Sequence, residues 1–417
     1  MSKGTVPGTL NFLLPLMLLS CSFFESKTAV IWTDVPDIAI YAEYFNANQS
    51  AYKIETRYYA SPATMLARTK DHPDIVIGHW LKSASTRTYF RSLDYLFGKN
   101  GIQEDAFYPR LLTLGRIDNH LYLLPVSFNI PSIILARANE SLLANQFVIS
   151  PEEIRSLGKE YNRETQGLFS QMGFSPAWNT EFLLVMTRIF SVSFREAAPL
   201  AWERGPLEQC IQYLQEWIRY ANTSVAAEDE FSFKYFYTPP AKLAISGRIL
   251  FFYMKSSDFF TLPDEQRKEL DFRWIAEQEH IPLAEDTVYY GICKSSAAKQ
   301  AATAFTRWLF DENTQRLLLE EGRNKRILES RFGIANGFST LKTVTEQVFP
   351  QQYPSLLGHM PPEAYLSPAN ILPQNWIAMK EQVILPYLYE RIRSNTREDR
   401  QPLERRIANW IRINRDS

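Results

Sequence analysis

Side chains able to do acid–base or covalent chemistry occur along this chain without the spacing of a common catalytic site. The histidines, at positions 72, 79, 120, 280 and 359, do not follow a metal-ligand pattern, and the sequence contains neither H-E-x-x-H nor G-x-S-x-G. It also has no glycine-rich loop of the kind that binds phosphate. The 46 acidic residues would allow a glycosidase carboxylate pair, but no spacing selects one. The sequence therefore predicts a protein that is not an enzyme and needs no metal or other cofactor.

One thiol, at Cys21, does have an informative chemical context. It follows a short apolar stretch, Leu10–Leu19, which is shorter than the roughly 20 apolar residues that a membrane span needs. Leu18-Leu19-Ser20-Cys21 resembles a lipobox, in which the cysteine thiol accepts a diacylglycerol. We therefore predict a lipoprotein signal peptide over 1–20, lipid attachment at Cys21 and a tether over 21–27. The alternative is an ordinary cleaved signal with an incidental cysteine.

Composition limits the class of the remaining chain. About 400 residues are too many for a single core, so two lobes are expected. The 45 basic and 46 acidic residues are mixed along the sequence, which argues against a nucleic-acid surface. Cys210 and Cys293 lie in apolar sequence and are predicted to be buried small side chains rather than a disulfide.

The elements that must position any site alternate between strands and helices. Ala29–Trp32 has the composition of a buried strand, and Ile38, Tyr41, Ala42 and Phe45 then recur with helical spacing. Further strands are predicted at Tyr52–Tyr58 and Pro73–Ile77, a succession typical of a parallel α/β sheet. Later helices are predicted to begin at the capping box Ser150–Glu153 and to cover 180–192, 207–220 and 297–319.

Several segments resemble, in order, the extracellular solute-binding proteins of sugar ABC importers, the family that includes maltose-binding protein. Pro73-Asp74-Ile-Val is similar to a strand of that family, and Leu114-Gly-Arg116-Ile-Asp118-Asn-His-Leu121-Tyr122-Leu-Leu-Pro125-Val126 is similar to the stretch that enters its first interlobe crossover. Gly291-Ile-Cys-Lys294-Ser-Ser, with the alanine-rich helix that follows, is similar to a third block. Each segment alone is weakly specific, whereas the ordered set covers most of residues 28–325.

The resemblance implies a bilobal α/β architecture, the periplasmic-binding-protein type II-like fold, with a hinge and a ligand cleft between two lobes. Lobe 1 is expected to comprise 28–126 plus 287–328 and lobe 2 to comprise 127–286 plus 329–417. Crossovers are placed near Val126–Ser127, near Asp286–Val288 and near 327–333. Closure of such a hinge around a ligand is a population shift between two states.

The resemblance also implies where a sugar would bind, since ligands of this fold lie between the lobes and at strand ends. Sugar recognition uses aromatic rings against the C–H face and polar side chains, above all carboxylates, against hydroxyls. For the candidate Asn129 a purely structural role is the alternative, and for the aromatic candidates core packing is the alternative. The candidate ligand-binding residues are Trp32, Asp34, His79, Trp80, Asn129, Trp178, Tyr253 and Tyr290. Alanine at Trp32 or Trp178 is expected to weaken ligand binding with little loss of fold.

The resemblance has limits. Ser246–Tyr253 departs from the family pattern in the second lobe, which puts the neighbouring cleft contacts in doubt, and the sequence after Asn324 matches no known pattern. The function implied is that of a monomeric lipoprotein on the outer face of the cell membrane that delivers a carbohydrate to ABC permease subunits. Two alternatives stay open: a non-sugar cargo such as a polyamine or metal chelate, and a surface lipoprotein for adhesion or signalling.

Overall fold

A computed structural model describes residues 26–98, 101–144, 147–198, 200–324, 331–394 and 401–414. The predicted signal peptide, Cys21 and most of the predicted tether lie outside these residues. Strands and helices alternate along much of the described chain, as the sequence predicts for an α/β protein.

The strands, in chain order, are β1 (Thr28–Thr33), β2 (Lys53–Tyr58), β3 (Ile75–Gly78), β4 (Arg116–Ile117), β5 (His120–Leu121), β6 (Leu124–Phe128), β7 (Pro131–Ala136), β8 (Val148–Ile149), β9 (Arg163–Thr165), β10 (Leu168–Gln171), β11 (Arg195–Glu196), β12 (Leu200–Ala201), β13 (Phe251–Lys255), β14 (Leu270–Ile275), β15 (Ile281–Pro282), β16 (Val288–Ile292), β17 (Phe338–Ser339) and β18 (Leu366–Ser367).

The α-helices, in chain order, are α1 (Asp37–Asn48), α2 (Pro62–Arg68), α3 (Ala84–Arg87), α4 (Pro109–Thr113), α5 (Pro151–Tyr161), α6 (Thr180–Ile189), α7 (Arg204–Asn222), α8 (Val225–Lys234), α9 (Pro240–Ile245), α10 (Ser256–Phe260), α11 (Asp264–Lys268), α12 (Lys299–Leu309), α13 (Glu312–Asn324), α14 (Phe349–Gln352), α15 (Trp376–Met379), α16 (Leu385–Arg393) and α17 (Leu403–Ile413).

A six-stranded sheet forms the centre of the first lobe, with strand order β17-β6-β16-β3-β1-β2. β1 lies parallel to β2 and β3, whereas β16 runs antiparallel to β3 and β6. The buried face of α1 is the one that the sequence predicts, with Ile38, Tyr41, Ala42 and Phe45 against the core. The strand–helix–strand succession predicted for this part of the chain is therefore confirmed.

A four-stranded sheet of order β13-β7-β14-β8 forms the centre of the second lobe. The predicted capping box starts α5: the Ser150 hydroxyl accepts the amide of Glu153, and the Glu153 carboxylate accepts the amide of Ser150. Buried Ile149 and Ile154 flank it, as expected of a hydrophobic staple. Cys210 and Cys293 are buried free thiols, as predicted, and burial raises the pKa of the Cys293 thiol to about 12.

The chain passes between the two sheets more than once, because β16 and β17 return to the first sheet after the second is complete. The division at residues 126 and 287 stays a prediction. The strand pairing favours a first connection at Asn129–Ile130, since β6 continues to Phe128 within the six-stranded sheet. It also keeps β17 (Phe338–Ser339) in that sheet, beyond the predicted end of lobe 1 at residue 328.

The long helix predicted over 297–319 is wrong, because the structure has two helices there, α12 and α13. The break lies at Phe310–Asp311, where the Asp311 carboxylate accepts the amide of Thr314 at 2.8 Å. An aspartate at this position satisfies an amide at the start of a new helix, which competes with continuation of the first one. Periodicity alone does not reveal such a break, since buried apolar residues occur in both helices, such as Phe305 in α12 and Leu319 in α13.

Two π-helical turns, at Val344–Val348 and Lys380–Ile384, interrupt the C-terminal helices. Each π-helical turn is followed by one α-helical residue and then by a proline, Pro350 in the first case and Pro386 in the second. Proline lacks an amide and its ring crowds the carbonyl four residues earlier, so a locally wider turn relieves the clash. The second of these turns begins at Lys380, which lines the cavity described below.

Candidate functional site

A cavity of about 580 Å³ lies between the two sheets. Its wall is formed by the start of α6, the strand β13, the segment Leu283–Asp286 that leads from β15 to β16, and the helix containing Lys380. Trp80, which follows β3, is the contribution from the carboxyl ends of the first sheet. Cavities of this size and position, between lobes and at strand ends, are typical of small-molecule sites.

Asp34 and His79 join the carboxyl ends of neighbouring strands β1 and β3. The His79 amide donates to the Asp34 carboxylate at 3.3 Å, and the His79 Nδ1 lies 3.0 Å from Asp34 Oδ2. Gly78 makes this approach possible, because a Cβ there would lie 2.5 Å from Asp34 Oδ1. Burial alone would lower the pKa of His79, but the hydrogen bond and charge of Asp34, with the charge of Asp286, raise it above its ordinary value. Parallel pairing of the two strands therefore brings these two predicted residues together.

A second charged pair lies near His79 and, unlike Asp34 and His79 themselves, lines the cavity. Lys255 at the end of β13 contacts Asp286 Oδ2 at 2.6 Å. Burial would raise the pKa of Asp286, but the charges of Lys255 and His79 outweigh it and lower the pKa. Lys255 comes from the second sheet and His79 follows a strand of the first, so the Asp286 carboxylate interacts with a basic side chain from each lobe.

Lys380 is held by two carboxylates on the same wall. Its Nζ lies 2.9 Å from both Glu181 Oε1 and Glu285 Oε1, and the indole Nε1 of Trp376 donates to Glu285 at 2.8 Å. Burial would lower the pKa of Lys380, yet the two carboxylates raise it well above its ordinary value. Asn179 positions Glu181, since its side chain accepts the Glu181 amide and caps α6.

Trp80 and Tyr253 are the two predicted aromatic residues that line this cavity. Trp80 has a positive φ of 62°, which is strained for a bulky side chain. Tyr253 lies on β13 opposite Ile133, and its ring meets Phe182 edge to face. Gly247, with φ of 69°, turns the chain between α9 and β13, so the segment that departs from the family pattern still delivers an aromatic ring to the cavity.

Trp32 and Tyr290 are core residues of the first lobe and do not line the cavity. Trp32 is 4% exposed and packs against Tyr59, with ring centroids 4.8 Å apart. Tyr290 is fully buried, and its hydroxyl lies 2.5 Å from the Thr306 hydroxyl. For both residues the structure favours the core-packing alternative.

Alanine at Trp32 is therefore expected to lower the free energy of unfolding by about 3–5 kcal/mol, because it leaves a large void in a packed core. The sequence alone led us to expect little loss of fold. Phenylalanine at Trp32 should cost less, since it keeps most of the volume and removes an indole Nε1 that has no hydrogen-bond partner among the described residues. Urea unfolding of both variants checks the order, and equal stability of Trp32→Ala and the parent would contradict the placement.

Asn129 serves the connection between the sheets. Its Nδ2 donates to the Asn336 carbonyl at 3.0 Å, and its Oδ1 accepts the Ser256 hydroxyl at 2.8 Å. The side chain is buried, and its backbone carbonyl accepts the amide of Ala284. These contacts support a structural role for Asn129 rather than a role in ligand binding.

Trp178 lines a second cavity of about 390 Å³ instead of the first. Its ring stacks on Phe231 of α8, with centroids 5.8 Å apart and planes 21° apart, and its Nε1 donates to the Ser232 hydroxyl at 3.0 Å. One face of the predicted stacking platform is thus covered by the protein itself. The two cavities adjoin, because Asn179, Pro240, Phe252 and Tyr253 line both.

Sequence reasoning missed most of the charged residues of the site. Glu181 follows a recognisable helix cap, and Asp286 lies at a predicted crossover, so local signals for these two existed. Lys380 belongs to the C-terminal stretch that matches no pattern, and nothing near it in sequence indicates the two carboxylates that it contacts.

Comparison with solved structures decides the fold. An extracellular solute-binding protein of family 1 from Alicyclobacillus acidocaldarius superposes with a TM-score of 0.63 at 12% identity, covering 93% of this chain and 98% of that one. The chain has the solute-binding protein fold. An ABC substrate-binding protein from Listeria monocytogenes in complex with cycloalternan gives 0.61 at 10% identity over 94% and 99% of the chains. A cyclic α-maltosyl-1,6-maltose binding protein from Arthrobacter globiformis gives 0.60 at 15% identity over 91% and 96%.

The solute-binding protein fold confirms the bilobal α/β architecture that the sequence resemblance implies. No protein-family model matches the chain, and no curated protein matches it. Within the described ranges, no helix combines the length and apolar character needed to cross a membrane. In the same ranges, no group of three or more His, Cys, Asp or Glu side chains could hold a metal ion.

Proposed function

We propose that this protein is the carbohydrate-binding component of an ABC importer. The observation that carries the proposal is the cavity that combines the aromatic rings of Trp80 and Tyr253 with carboxylates held in fixed ion pairs. Such rings contact the C–H face of a sugar, and oriented carboxylates accept its hydroxyl protons. The three solved structures compared above support this reading, since two are named for the saccharide that they hold or bind.

Hinge closure would complete the site. Trp80 and His79 follow a strand of the first sheet, whereas Tyr253 and Lys255 lie on a strand of the second, so closure brings both sets against one ligand. Closing around the ligand removes water from the ion pairs and strengthens each polar contact. The protein acts by binding rather than by catalysis, as a monomer that presents its closed form to permease subunits.

A thermal-shift screen of the full-length chain tests the proposal. A neutral mono- or oligosaccharide at about 100 times its dissociation constant should add roughly 2.7 kcal/mol of stability, enough to raise the melting temperature by degrees. Polyamines and metal chelates serve as controls of other cargo classes. A melting-temperature shift with the polyamines or metal chelates alone would reject the proposal that this protein is a carbohydrate receptor. Absence of a shift with every compound in the panel would also reject it.

We further propose that Cys21 is acylated and holds the protein on the outer face of the cell membrane. Alanine at Cys21 is expected to abolish incorporation of a radiolabelled fatty acid and to release the protein from the membrane fraction, because the thiol is the point of attachment. Serine at Cys210, which is buried, is the matched control and should leave labelling unchanged. Equal labelling of Cys21→Ala and the parent would refute the anchor.

A further inference from the structure

The two adjoining cavities carry an excess of acidic side chains. Five carboxylates line the larger cavity and two line the smaller, against three and one basic side chains. The basic groups already have partners. Lys380 contacts Glu181 and Glu285, and Lys255 contacts Asp286. An acidic surplus therefore faces whatever ligand occupies this space.

The other two basic groups are also engaged. Arg188 donates one guanidinium nitrogen to the Leu283 carbonyl and another to the Ser367 carbonyl, the latter at 2.6 Å. Arg393 donates Nη2 to both carboxylate oxygens of Asp229 at 2.6 and 2.9 Å. Because these cations are fixed by the protein, they are not arranged to receive an anionic ligand.

Glu228 is the acidic residue that most needs a ligand. It is 1% exposed and lines the smaller cavity, where its Oε1 accepts Asn222 Nδ2 at 2.7 Å. Its Oε2 is buried and has no hydrogen-bond partner in the part of the chain that the structure describes. Burial raises the pKa of Glu228 to about 7, and hydrogen bonding by the Asn222 and Ser175 side chains, with the charge of Arg393, offsets only part of that desolvation. A buried carboxylate oxygen without a hydrogen-bond partner lowers the stability of the protein. A ligand that donates a hydrogen bond to this oxygen would recover that stability.

A second buried oxygen, Oδ1 of Asp286, likewise lacks a partner among the described residues and belongs to the larger cavity. Aromatic rings surround the Glu228 end, including those of Trp178, Tyr235 and Phe236. Ring faces attract a cation, and a carboxylate beside them adds a charge-assisted hydrogen bond.

We propose that the cargo is an amino sugar whose protonated amine donates a hydrogen bond to Glu228 in the smaller cavity. The other sugar rings of the ligand occupy the larger cavity. This inference rests on the proposed function and narrows its substrate class. A neutral hydroxyl could also donate to Glu228, but it would leave the acidic surplus unbalanced. An ammonium group donates a hydrogen bond to the unpartnered Glu228 oxygen, and its positive charge offsets part of the acidic surplus.

Calorimetric titration of the full-length chain tests this with trisaccharides of glucosamine, N-acetylglucosamine and glucose that share one linkage. The glucosamine trimer is expected to bind at least about tenfold more tightly than the other two, as a charge-assisted hydrogen bond to a buried carboxylate implies. Glu228→Gln should remove that preference for the glucosamine trimer. Glu230→Gln, an exposed change of the same charge on the same helix, is the matched control and should keep the preference.

Equal or tighter binding of a neutral trimer would overturn the amino-sugar assignment while the carbohydrate function stands. A preference for the amine that survives Glu228→Gln would overturn the role of Glu228. Failure of all three trimers to bind also overturns the assignment, and the neutral-sugar screen described above then decides separately whether the carbohydrate function stands.

Discussion

Methionine in place of Lys380 is expected to lower the free energy of unfolding by about 3–5 kcal/mol, the cost of removing one partner from a buried ion pair. The loss arises because Glu285, whose side chain is 10% exposed, keeps its charge without a counterion. The partly exposed Glu181 contributes less, since water solvates it. Urea unfolding of ligand-free protein measures the change.

The penalty of Lys380→Met should shrink at lower pH. Burial already raises the pKa of Glu285, and loss of Lys380 raises it further, so acid neutralises the stranded carboxylate. The double variant Lys380→Met with Glu285→Gln is the control, because it removes both charges and should recover much of the stability. A loss below about 1 kcal/mol in the single variant would show that this pair is solvated and not structural.

Alanine at Trp80 is expected to weaken carbohydrate binding about 30-fold or more, with a small effect on stability. Truncating a central aromatic contact commonly costs about 2 kcal/mol of binding energy or more. The strained backbone at φ of 62° holds the indole at the cavity, and a partly exposed ring contributes less to the core than Trp32 does. Calorimetric titration with the sugar found by thermal shift measures the loss.

Trp410→Ala is the matched control for Trp80→Ala. Trp410 is also partly buried, but it lies on α17, hydrogen-bonds Gln382 at 2.7 Å and does not line the cavity. We expect this variant to bind sugar normally. Phenylalanine at Trp80 should retain part of the affinity, since it keeps a ring in place. Unchanged affinity of Trp80→Ala would exclude the cavity as the sugar site.

The local elements near the site could be predicted because each depends on neighbouring residues. Helix α5 is fixed by Ser150 and Glu153, and β1 and β3 by short apolar runs. Asp34 and His79 were both predicted at strand ends, and they are in contact because the parallel neighbours β1 and β3 end at the same edge of the sheet. Trp80 was assigned to the site by the same reasoning.

The direction of Trp32 could not be predicted in that way. The last three residues of β1 are all buried, so both faces of the strand are covered and the alternating pattern does not separate core from cleft. The surroundings of Trp178 could not be predicted either, because Phe231 approaches from α8 and covers one face of the ring, while Trp178 also lines the second cavity.

The sequence by itself determined the first strands and helices, the cap of α5 and the sheet edge of the candidate site, because these follow from residues a few positions apart. Only the tertiary structure decided which side chains meet there. Lys380 reaches Glu181 and Glu285, and Glu228 lines a cavity with Trp178, across long stretches of chain. Such contacts depend on how lobes and helices pack, and local periodicity carries no record of partners so far apart in sequence.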